Sequence, residues 1–138
     1  SHGFVNNVER SHATPTLLAC GTFIPAVVNL PVFRQKVVLH IADGVRSLYN
    51  GGPGGRPPFM WGHKTMYLGT DPVALDKVGW KVIDEKRIEK GMVPVAFAKA
   101  DRENRFSHPQ VEHIELAGIL GLGEFDDSKI QLKRFDLL

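Results

Sequence analysis

The sequence predicts an α/β domain: a small, mainly parallel or mixed sheet with helices packed against it. Three observations lead there. Val37, Val38, Leu39, His40, Ile41 and Ala42 form a β-branched, apolar run, apolar on both alternating faces, as a strand inside a covered sheet requires. Thr65, Met66, Tyr67 and Leu68 form a second short run that turns directly into the longest helical pattern in the chain. Helical periods lie before the first run and after the second, and 138 residues suffice for one domain with its own core.

Taken in order, residues 1–13 are polar and show no sustained period, which reads as a loop or arm. Thr14-Pro15 opens a buried helix through Leu17, Leu18, Phe23, Ile24, Val27 and Val28, with a break or kink expected at Pro25. A short helical turn after Leu30-Pro31 delivers the chain to the strand over 37–42, which ends at Asp43-Gly44. Residues 45–64 read mostly as loop, and a loop of that length implies a task or an Ω-type lid. The second strand covers 65–68. Asp71 then caps a helix that Pro72 starts and Gly91 stops. In it Val73, Val78, Val82 and Ile83 face the core, and Lys77, Lys81, Asp84, Glu85 and Lys86 face water. After a loop with a short extended piece near 93–97, Ser107-His108-Pro109 opens a last helix to Ile119. Ile130, Leu132 and Phe135 among polar residues predict a half-exposed or edge strand over 130–135.

Seventeen Lys and Arg against fifteen Asp and Glu, interspersed along the chain, provide no basic stripe for nucleic acid. The longest apolar runs are far too short to span a bilayer. Cys20, the single cysteine, can form neither an internal disulfide nor an iron–sulfur cluster by itself, and reads as a buried, inert thiol. Such cysteine usage fits cytoplasm and periplasm alike.

Chemistry is expected where strands end, because ligands in open α/β sheets sit outside the carboxyl ends of strands. Asp43 and Asp71 follow the two strands, and parallel neighbours would bring these carboxylates together as oxygen ligands for a divalent cation. The plainer reading makes Asp71 a cap and Asp43-Gly44 a turn. Gly51, Gly52 and Gly54, followed by Arg56, offer backbone N–H groups and a charge for a phosphate; a mobile lid or plain turn is the competing reading. His12 and His63 lie in loops beside Ser, Thr and Gly, where a side chain can meet a ligand, whereas His40 reads as an interior strand residue. Phe59, Met60 and Trp61 must either plug into their own core or cover another surface.

Five motifs together carry a resemblance: Ser-His-Ala-Thr at 11–14, Asp43-Gly44, Gly-Gly-Pro-Gly at 51–54, Gly-Thr-Asp-Pro-Val-Ala-Leu-Asp at 69–76, and Gly-Leu-Gly-Glu at 121–124. The combination resembles the C-terminal part of the bacterial and archaeal domain-of-unknown-function family 362. That resemblance implies a C-terminal portion of a longer protein, since family members are usually much longer. It also implies a redox-associated, iron–sulfur type protein, because some members carry ferredoxin-type cysteine motifs; with Cys20 alone, any cluster would sit elsewhere. The resemblance assigns no catalytic residue. The expected function is a ligand- or metal-binding α/β domain with Asp43, Asp71, His12 and His63 around the ligand. The alternatives are a metal-dependent hydrolase or transferase acting on a phosphate or carboxylate, and a structural half that docks a missing N-terminal segment or self-associates through Phe59, Met60 and Trp61.

Overall fold

A computed structural model describes residues 19–51, 57–99 and 111–137. Helix α1 spans Ala19–Val28 and α2 Pro31–Lys36; strands β1 (His40–Gly44) and β2 (Ser47–Leu48) follow, then β3 (Met60–Trp61), β4 (Thr65–Gly69), the long helix α3 (Pro72–Glu89) and α4 (Glu112–Ile119). The architecture is a single mixed α/β domain.

Its sheet is antiparallel throughout, which corrects the expectation of a mainly parallel one. Strand β1 pairs with β4 from His40↔Gly69 to Gly44↔Thr65, and β2 pairs with β3 at Ser47↔Trp61 and Leu48↔Met60. The two ladders form one ribbon, joined where the Lys64 N–H donates to the Val45 carbonyl at 3.0 Å. Between them Val45 and Arg46 face Gly62, His63 and Lys64, so the second strand carries one extra residue, and Lys64 takes a left-handed φ of 57° to absorb it. The described parts of the segment expected as loop, residues 45–51 and 57–64, thus belong largely to a hairpin. Antiparallel strands can be joined this way, whereas parallel neighbours need a crossover, usually an α-helix, and among the described residues only a single 3-10 turn, Pro57–Phe59, lies between these strands.

The strand starts at His40 rather than Val37, because the partner positions beyond Gly69 are spent on Asp71 and Pro72, where α3 begins. One face of the ribbon, carrying Ala42, Gly44, Thr65 and Tyr67, packs on α3; the other leaves Ile41 59% and Leu68 62% exposed, directly opposite each other. Strands apolar on both faces were read as doubly covered, but only one face is covered here.

At the ribbon tip, buried Tyr49 packs edge-on to Phe59 and tilted against Trp61, with ring centroids 5.7 and 6.0 Å away, and its hydroxyl donates to the Pro58 carbonyl. Phe59, Met60 and Trp61 are therefore half-buried against their own ribbon.

The helical side joins α1 to α4 and α4 to α3. Pro25 is fully buried inside α1, which runs through it without the expected break. Helices α3 and α4 end alike. Gly91 and Gly121 take left-handed φ values of 71° and 68°, and the next N–H in each case donates five residues back, Met92 to Arg87 and Leu122 to Ala117. Two side chains expected or available to face water from α3 instead bind its surroundings. Asp84 accepts from the Val95 N–H at 2.7 Å, and buried Arg87 donates to the carbonyls of Val93 and Tyr49 and to Asn50 Oδ1. The strand expected over 130–135 does not form: the segment has no partner strand among the described residues, and Leu132 and Phe135 are exposed. Among the described residues no helix is long and apolar enough to cross a membrane.

Candidate functional site

Asp43 and Asp71 do not converge. Asp43 pairs with Met66, while Asp71 lies beyond the opposite end of β4, so the ladder to Gly69 alone separates them by roughly 10 Å along the strand. Each carboxylate has backbone work of its own. Asp43 Oδ1 accepts from the Val45 N–H at 2.9 Å, forming the turn that leaves β1. Asp71 Oδ1 accepts from the Ala74 N–H at 2.9 Å, capping α3, and Oδ2 accepts from the Glu124 N–H at 2.7 Å. The Asp71 carboxylate thereby joins two motifs far apart in sequence. Gly123 makes the contact possible, since a Cβ there would collide with Oδ1 and lie 2.6 Å from Cγ. The cation site expected from both carboxylates is not formed.

Asp43 and His63 border one cleft, but Asp43 alternates with Ala42 and Gly44 and pairs with Met66, so its carboxylate belongs to the outer face. The cleft, about 280 Å³ between the inner face of the ribbon and α3, is also lined by Arg46, Ser47, Trp61 and Tyr67 on the ribbon and Gly79, Val82 and Ile83 on the helix. The helical residues are spaced to share one face of α3. Along the ribbon the rings step in sequence: Trp61 to His63 is 5.8 Å between centroids, and His63 to Tyr67 is 5.8 Å at 11°, nearly parallel. Gly44 gives these rings their place. A Cβ on it would lie 2.8 Å from the Thr65 carbonyl oxygen and 3.3 Å from both the His63 and Tyr67 rings.

His63 Nε2 and the Tyr67 hydroxyl stand 2.5 Å apart. Burial, reinforced by the negative charge of Glu85 and opposed by Arg134, raises the Tyr67 phenol above its ordinary range. The phenol keeps its proton at neutral pH and can donate it to Nε2, leaving the imidazole proton on Nδ1. Arg46 is exposed and makes no ion pair among the described residues. The cleft therefore combines a cation with no ion pair among the described residues, a hydrogen-bonded histidine–tyrosine pair and an apolar floor.

Of the other expected site residues, Gly51 takes a left-handed φ of 72° where the chain leaves the ribbon, a conformation that suits glycine. His12, Gly52, Gly54 and Arg56 lie outside the described residues. Among the described residues no group of three or more His, Cys, Asp or Glu is placed to hold a metal ion. Sequence reading missed Arg46, Ser47, Tyr67 and Gly79. The period-two spacing of His63, Thr65 and Tyr67 was the available signal for the tyrosine.

Fold and site define a mixed α/β domain with a polar-rimmed cleft between an antiparallel ribbon and its longest helix. No family model matches the chain, and no curated protein or solved structure matches it either.

Proposed function

We propose that the chain is a ligand-binding α/β module whose ligand occupies the cleft between the ribbon and α3. The observation carrying this reading is that one concavity gathers Arg46, His63 and Tyr67, side chains of complementary chemistry, over an apolar floor. Trp61 forms the wall, Arg46 supplies charge, and the His63–Tyr67 pair accepts or returns a proton to a bound group. The resemblance noted from the sequence extends the proposal to a redox-associated protein whose iron–sulfur cluster lies outside this chain.

The test is a diverse fragment screen on isotopically labelled chain, read by amide and side-chain NMR shifts, with and without Mg²⁺ or Ca²⁺. Shifts concentrated on Arg46, His63, Tyr67 and Gly79 are expected. A screen in which every binder perturbs residues elsewhere would sink the reading.

A second reading, the structural half, rests on the ribbon's outer face, where Ile41, Met66 and Leu68 are each at least half exposed on paired strands. It makes that face an assembly surface. Ile41→Lys would then reduce association in sedimentation without lowering the melting temperature; an unchanged sedimentation profile removes this reading.

A further inference from the structure

We infer that Gly79 holds the cleft open for a flat aromatic monocarboxylate, the ring lying against the bare helix backbone and the carboxylate meeting Arg46. The inference rests on the cleft being a binding site and names the class of compound it takes.

Gly79 lies in the interior of an eighteen-residue helix, where glycine is less favourable than alanine. Glycines usually persist in such places for a close approach, a left-handed φ or a helix end. None applies. A Cβ on Gly79 would meet nothing within 4 Å, its φ is not left-handed, and it stands well inside both ends of α3. Gly118 on α4 shows the contrast, because a Cβ there would come 2.8 Å from Phe125 Cβ. The fold thus gives no packing reason for the residue, and the space it leaves is part of the cleft.

What surrounds that space selects the ligand. Across from Gly79, Val82 and Ile83 stand Trp61, His63 and Tyr67, ring groups suited to stacking, with Ala42 and Leu48 adding apolar surface. About 280 Å³ sits at the lower end of small-molecule sites, roughly 300 Å³ upward, which suits a single ring. Arg46 has no carboxylate partner among the described residues and matches a carboxylate in fork geometry. Arg46 is the one lysine or arginine lining this cleft among the described residues, which favours one carboxylate over two.

Benzoate, benzamide and acetate serve as probes on the full chain, titrated by NMR together with the Trp61 indole signal. Benzoate should bind at least tenfold more tightly than benzamide or acetate. Gly79→Ala should raise the melting temperature by about 3 °C, from the helix preference, yet weaken benzoate at least tenfold. Arg46→Gln should bring benzoate to the level of benzamide. Unchanged benzoate affinity in Gly79→Ala, or a lowered melting temperature, overturns the inference. Wild type that ignores benzoate while other fragments shift the cleft overturns the ligand class and leaves the binding reading standing; a cleft that no fragment touches overturns both.

Discussion

The Asp71–Gly123 contact allows one sharp test of whether Asp71 serves structure or a ligand. Asp71→Ala removes the cap of α3, about 1 kcal/mol, and the charged acceptor of the Glu124 N–H, about 1.5–3 kcal/mol. The expected loss is about 2.5–4 kcal/mol, or roughly 8–12 °C in a chain of this size. Gly123→Ala drives a methyl group into the Asp71 carboxylate and should cost about 1–3 kcal/mol, as overpacking does. In the Asp71→Ala background the obstruction is gone, so the same glycine substitution should be nearly neutral. The double-mutant cycle, measured by urea denaturation, should then show a coupling of about 1–3 kcal/mol. Additivity within about 0.5 kcal/mol would refute the clamp. Mg²⁺ or Ca²⁺ should leave the difference between wild type and Asp71→Ala unchanged; selective stabilisation of wild type by either ion would return Asp71 to the role of a metal ligand.

Arg87→Met should destabilise by about 2–5 kcal/mol, because it strips the carbonyls of Tyr49 and Val93 of a buried donor; a loss below 1 kcal/mol in chemical denaturation would mean that water replaces the guanidinium (roughly the net worth of a single hydrogen bond). Since the folded-state phenol of Tyr67 titrates above its unfolded value, its contribution is fully present below about pH 10 and is lost as pH rises through the folded value. Melting temperature should accordingly fall more steeply above pH 10 in wild type than in Tyr67→Phe, and parallel curves would contradict it. Trp61→Ala should lower the melting temperature with assembly unchanged, as its packing on Tyr49 requires; weakened association at constant melting temperature would place Trp61 at an interface instead.

Local chemistry alone determined several elements of this protein. Asp71-Pro72 starts α3 because a carboxylate cap and a preset φ act within one turn, and Gly91 ends it because only a left-handed residue closes that end at low cost. The strand over 65–68 and the mixed α/β class were legible for the same reason. Strand direction was not, because an apolar run states that a strand is buried without stating on which face or beside which neighbour, and here Ile41 and Leu68 meet on an open side. The segment over 130–135 shows the complement: alternation permits a strand, but only a partner edge makes one. Tertiary structure also redistributed the candidate site. Register moved Asp71 away from Asp43 and onto the Glu124 N–H, while the hairpin and its extra residue brought His63 and Tyr67 over Gly44 and against α3. Those contacts depend on which backbones cross in space, a quantity that residue type and spacing along the chain do not encode.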